Sequence, residues 1–294
     1  ADGPLATLQG ARDRIRAIRR EGQALKGPIV VKIADGSYPI AEPLVLEPGD
    51  GGTAESPVVY QAATGAHPVI DGGRKIEGLA RRADGLWAVK LPEVADGRFT
   101  FEQLFVNGRR AVRARTPNEF YHYMVKKVSR AIDPATGREA PMDRRAFIAR
   151  IEDLEPLRGL SPRQLQAVNV VVFHSWEVSR HRIASVDFET RMVILTGPAP
   201  WSFFNWERTQ RYVFENIPSQ VDQPGEWSLD PEGTLLYRPL PGEDPATAEV
   251  VAPVADSFVL IKGTPEPGKT VEHVAFRGLT FRHSRYVLPP EGHG

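Results

Sequence analysis

Two textures of hydrophobic pattern alternate along the chain. The segment "TLQGARDRIRAIRREG" spaces Leu8, Ala11, Ile15 and Ile18 three or four apart and fills its other face with arginine, which predicts one amphipathic helix stopping at Gly22. Its apolar stripe is narrow, so the helix should lie across another element, its basic face a solvated one rather than an anion site. From Pro28 to Gly73 the pattern becomes short strands at Ile29 to Ile33, Tyr38 to Ile40, Leu44 to Leu46, Val58 to Gln61 and Pro68 to Asp71, separated by "ADGSY", "EPGDGGT" and "ATGAH". Runs such as "IVV", "LVL" and "VVY" are apolar at successive positions, which suits parallel strands rather than one-sided hairpins.

A second texture runs from Arg74 to Glu249. "LWAVKL" alternates Trp87, Val89 and Leu91, and "LFVNGRRAV" carries an Asn107-Gly108 turn between apolar strands, the signature of a tight hairpin. Further hairpins are expected in "HRIASVDFETRMVILTG" and in "EWSLDPEGTLLYRPL", where Trp227 and Leu229 should face Leu235 and Tyr237. In "SPRQLQAV" a capping box from Ser161 to Gln164, with Pro162 in the first turn, predicts a short helix. From Val250 the first texture returns. Val274 and Phe276 alternate, Gly278 intervenes, and Leu279 and Phe281 resume out of phase, as a strand corner would require.

The fold class expected is therefore all-β. A helix and first rungs of a parallel β-helix span residues 1–73, an antiparallel β-sandwich is inserted at 74–249, and the rungs resume at 250–294, with neighbouring passes ~4.8 Å apart. The 26 glycines and 26 prolines agree with frequent turns.

Charge and residue inventory narrow the chemistry. Lys plus Arg and Asp plus Glu both total 37, so no basic field exists to hold nucleic acid or an anionic membrane. No run of eighteen apolar residues marks a membrane span, and "ADGPLATLQG" is not a leader, any signal peptide having been removed. Absence of cysteine excludes thiol nucleophiles, disulfides and Cys-ligated zinc. "GDGG" at Gly49 to Gly52 is a turn, no phosphate-binding or dinucleotide fingerprint follows a strand, and Ser56 and Ser175 lack the nucleophile-elbow glycines, so no cofactor is expected.

One cluster looks functional. "FHSWEVSRHRI" brings His174, Trp176, Glu177, Arg180 and His181 together, and "WSFFNWERTQRY" adds Trp201, Phe204, Asn205, Trp206, Arg211 and Tyr212. Aromatic faces beside amide and guanidinium groups are what a sugar site uses, the ring stacking on C–H groups while planar donors fix hydroxyls. The competing reading places these aromatics in the sandwich core and pairs Arg180 with Glu177. The spacing of His174 and His181 matches no usual metal pair, and no calcium loop is present, so no metal is expected. Glu177, Glu207, Asp222 and Glu226 fall among turn and hairpin signals, where exposure would leave their pKa values ordinary.

The stretches "ADGSYPIAEPLVLEPGDGGTAESPVVYQAATGAHPVIDGGRKI", "LFVNGRRAVRARTPN", "FENIPSQVDQPGEWSLDPEGTLLYRPLPGED" and "HVAFRGLTFRHS" resemble the N-terminal half of bacterial secreted right-handed parallel β-helix proteins, a group including β-xylosidase-like and α-L-fucosidase-like glycoside hydrolases. The resemblance implies a cap helix, a few rungs, an inserted sandwich, and many further rungs bearing the catalytic carboxylates beyond Gly294. It implies an oligo- or polysaccharide partner, a secreted or periplasmic location, and self-association through an uncovered C-terminal edge. A polysaccharide lyase of the same fold and a non-catalytic binding module are the alternatives.

Overall fold

A computed structural model describes residues 3–21 and 27–293. The chain is all-β, apart from one long helix and several single turns of helix, and divides into two compact units: residues 1–75 with 251–286, and residues 76–250 with 287–294.

In the first unit the helix runs Leu8–Arg20. Thr7 caps it, its hydroxyl accepting the Gly10 N–H at 3.0 Å, and Arg19 and Arg20 fall in the last turn, where cations favour the dipole. The expected stop at Gly22 lies outside the described residues. Leu8, Ala11 and Ile15 are buried in one core with Ile33, Leu44, Leu46, Val58, Tyr60 and Ile70. The opposite face is not merely solvated, as the sequence led us to expect. Arg16 reaches Asp50 at 2.6 Å and Glu47 at 2.9 Å, Arg12 donates to the Val45 carbonyl, and Arg19 donates to the carbonyls of Gly49 and Gly51. Burial alone would raise the Asp50 carboxyl, but the hydrogen bonds from Arg16 and the Glu47 N–H, with the arginine charges, hold it below the usual range. The basic face thus clamps the Glu47–Gly51 turn.

Every strand of this core pairs in parallel with a strand far along the chain. Ile29–Ile33 lies beside Val58–Ala62, which lies beside Val274–Arg277, in the register Ile29 to Val58 to Val274. Ser37–Pro39, Val69–Asp71 and Thr280–Arg282 form a second such ladder, and Leu44–Leu46 with Val259–Ile261 a third. Val58 to Tyr60 and Val69 to Ile70, neighbours in sequence, therefore do not pair with each other. Equivalent positions stack: the Tyr60 and Phe276 rings lie 5.2 Å apart and nearly parallel. The passes close tightly enough that a Cβ on Gly51 would sit 2.7 Å from the Glu272 carbonyl oxygen, and the corner at Gly278 uses a left-handed φ of 66°. The strand Ile29–Ile33 alternates in burial, Val30 and Lys32 facing solvent, where its continuous apolar start had suggested two covered faces.

The second unit is chiefly antiparallel. One sheet orders Val112–Arg113, Glu226–Leu229, Thr234–Tyr237, Trp87–Lys90 and Ala80–Arg81, with a parallel pairing only between its first two strands. Trp227 faces Tyr237 and Leu229 faces Leu235, the expected register. The Asn107-Gly108 turn takes left-handed φ values of 50° and 74° between Phe105–Val106 and Arg109–Arg110, the twist a two-residue hairpin needs. Ser161 and Gln164 exchange both capping-box hydrogen bonds over the helix Pro162–Leu165. A larger sheet centres on Asn169–Phe173, flanked by Val178–Asp187 and Arg211–Glu215. Phe147, Val170, Val172, Ile183, Val193 and Phe214 build its core.

Candidate carbohydrate site

Strand pairing brings the two candidate segments together. Phe173 is opposite both Val178 and Arg211, so the turn of residues 174–177 and the loop ending at Gln210 meet at one edge of the larger sheet. Gln210 fastens that edge, donating to the Phe173 carbonyl at 2.7 Å and accepting the Phe204 N–H at 3.1 Å. On it sit three indoles: Trp176, Trp201 and Trp206, which are 66%, 39% and 46% exposed. Their ring centroids lie 4.6 Å (176 to 206), 4.8 Å (201 to 206) and 6.4 Å (176 to 201) apart, at interplanar angles of 48°, 75° and 69°. An exposed apolar cluster of this size marks a contact surface rather than ordinary surface scatter.

The remaining candidates divide by face. Asn205 is exposed in the same loop. Arg211 sits over the Tyr121 ring, 5.2 Å from its centroid, and pairs with Glu207 at 3.5 Å. Glu177 is half-buried, and its Oε1 is enclosed without a hydrogen-bond partner. Arg180 pairs with Glu215, across the intervening strand Asn169–Phe173, and not with Glu177.

His174, His181 and Tyr212 face inward. His174 Nε2 bonds the Ser179 hydroxyl at 2.9 Å, and its ring stacks near Phe203; burial pulls its pKa down, the charges of Glu177 and Glu207 opposing. His181 directs Nδ1 to the Glu291 carbonyl, and burial lowers it likewise. Tyr212 donates to Asp153 at 2.8 Å, and Asp153 also meets His122 Nδ1 at 2.9 Å; burial first, then Asp153, pushes the phenol well above its usual pKa. Strand alternation explains the split, since Arg211 and Tyr212 are successive residues and point to opposite faces.

Sequence reading missed a buried ionic cluster in the same unit. Glu102 accepts from Arg113 at 2.7 Å, Arg182 at 2.9 Å and Asn169 at 3.4 Å, and Arg113 lies 4.5 Å above the Trp227 ring. Glu102, Arg113 and Arg182 border a cleft of about 220 Å³. Burial alone would raise Glu102, but the charges of Arg113 and Arg182 outweigh it and hold the carboxyl below the usual range; burial pulls Arg113 down, with Glu102 opposing. No local motif announces this cluster, whose members come from four distant segments.

Glu226 corrects another expectation. It is buried, not exposed, and accepts the N–H groups of Asp222 and Gln223 at 3.1 and 2.9 Å, while burial raises its carboxyl. The other buried carboxylates are also engaged: Asp50 by Arg16, Asp133 by Arg145, and Asp153 by Tyr212. Among the described residues, no group of three His, Asp or Glu side chains could hold a metal ion. No described helix is long and apolar enough to cross a membrane.

Known proteins share parts of this geometry. No curated protein matches the chain. A solved structure titled "Glycoside hydrolase" superposes with a TM-score of 0.79 at 25% identity, covering 99% of this chain and 49% of its own, so the present chain spans about half of that relative. A structure titled "The complex structure of XylC with xylose" covers 98% of this chain and 34% of its own at 15% identity, but its TM-score of 0.36 falls short of a shared fold. Residues 84–240 match the model of the GH141 insertion domain, a span that holds the tryptophan edge and the Glu102 cluster together. The chain belongs to the family that the GH141 insertion domain defines.

Proposed function

We propose that this chain is the N-terminal portion of a secreted or periplasmic glycoside hydrolase built on a right-handed parallel β-helix, and that its tryptophan edge holds carbohydrate. The observation that carries the second part is the exposed trio Trp176, Trp201 and Trp206, beside an exposed amide at Asn205. Indole faces stack on the C–H faces of sugars, and planar polar groups at the rim bond the hydroxyls. Three parallel ladders drawn from passes at each end of the sequence support the β-helix reading. The likeness to a glycoside hydrolase of which this chain covers 49% supports the enzyme reading.

Glycoside hydrolysis uses two carboxyl groups flanking one bond, one of them free to give a proton. The buried carboxylates of this chain are committed to arginines, tyrosine or backbone N–H groups. On this reading the reacting pair lies in residues outside this chain, and the edge serves to hold substrate.

Titrating the chain with neutral oligosaccharides should quench its tryptophan fluorescence. Trp206→Ala should weaken that binding by at least about tenfold, or roughly 1.4 kcal/mol, without lowering the melting temperature, because Trp206 is exposed. Unchanged affinity in this variant would remove the edge from the reading.

A further inference from the structure

Resting on that reading, we infer that the tryptophan edge takes a single neutral pyranose unit, such as a chain end or side branch, and not an extended flat chain. A flat chain with two-fold repeat presents like faces only at every second sugar, so a platform for it needs coplanar rings set well apart. Here all three centroids fall within 6.4 Å of one another, and no two planes are closer to parallel than 48°. The rings form one compact knob, large enough for one sugar face.

The same distances exclude an aromatic cage for a quaternary ammonium, which needs its rings to stand apart around the cation. Trp206 instead touches both neighbours, at 4.6 and 4.8 Å. Polar groups at the rim fit hydroxyls better than a carboxylate. Arg180 and Arg211 are committed to Glu215 and Glu207, Arg208 being the exposed cation left in the loop, whereas Asn205 offers an exposed amide.

The test is a titration series on the whole chain: methyl β-xyloside, fucose, arabinose, galacturonic acid, and xylose and glucose oligosaccharides from two to six units. Affinity should change less than about threefold from disaccharide to hexasaccharide, about half of the roughly 1.4 kcal/mol that a tenfold step represents. Asn205→Ala and Trp206→Ala should each weaken the shortest ligand that binds, and galacturonic acid should bind no better than the neutral sugars. A tenfold or larger gain with added units would show an extended groove and overturn the inference, while leaving sugar binding intact. Tighter binding of galacturonic acid would overturn the neutral assignment. Failure of every sugar would bring down the proposed function itself. A Trp206→Ala change that converts a dimer to a monomer, with sugar binding unchanged, would show a protein contact instead and overturn both.

Discussion

Glu102→Ala should unfold the second unit well below the temperature of the parent chain. Removing one partner from a buried ion cluster leaves the others charged and uncompensated, at a cost of about 3–5 kcal/mol, or roughly 6–20 °C in a unit of this size. Arg113 carries most of that cost: its side chain is one-tenth exposed, whereas Arg182 keeps the Leu288 and Pro289 carbonyls as acceptors. Adding Arg113→Met should recover part of the loss, because an apolar chain over Trp227 bears no unpaired charge. The pH dependence has a fixed sign. Glu102 is depressed in the fold, so its contribution is present above the unfolded value, roughly 4.3, and is lost as pH falls through the folded one. Differential scanning calorimetry of the single and double variants decides this, and a single-variant loss below about 1 kcal/mol would mean that water relieves the site.

Ile15→Asp should have the largest effect on the first unit. Ile15 sits on the buried stripe of the helix against the parallel ladders. Loss of its packing costs about 2–5 kcal/mol, and an unpaired carboxylate in that position adds a desolvation cost of its own. Uncovering the ladder also bares apolar surface, so aggregation on mild heating is expected with the loss of structure. Arg14→Ala, one position away on the exposed face, should leave melting unchanged. Thermal melts followed by light scattering compare the two. An Ile15→Asp chain as stable as the parent would contradict the capping role of the helix.

Local signals carried much of the fold. Asn107-Gly108 can hardly be anything but a hairpin, Ser161 to Gln164 is a self-contained cap, and apolar runs such as Val58 to Tyr60 declare strands by composition. Partner choice was legible only by inference, because Val58 pairs with Val274 across a gap that no local rule spans. The same limit hid the cluster of Glu102 with Arg113, Asn169 and Arg182, since ion pairs and hydrogen bonds between distant segments leave no periodicity. Among the candidate site residues, the aromatic and polar mixture was visible but its faces were not. Arg211 and Tyr212 alternate by necessity, yet only tertiary packing shows that Tyr212 reaches Asp153 while Arg211 lies over Tyr121. His174, a candidate for the site by sequence, is buried, with its ring stacked near Phe203 of the facing loop.

Contact between carbohydrate and the three exposed tryptophans is directly observable, because the chain has five tryptophans in all. Trp87 and Trp227 are buried in the other sheet of the unit, so their indole N–H signals serve as internal controls. Two-dimensional nitrogen–proton spectra, recorded while a binding sugar is added and assigned by single Trp→Phe variants, should show the indole signals of Trp176, Trp201 and Trp206 moving together, with those of Trp87 and Trp227 still. Shifts confined to Trp87 or Trp227, or a saturated complex in which none of the three exposed indoles moves, would contradict it.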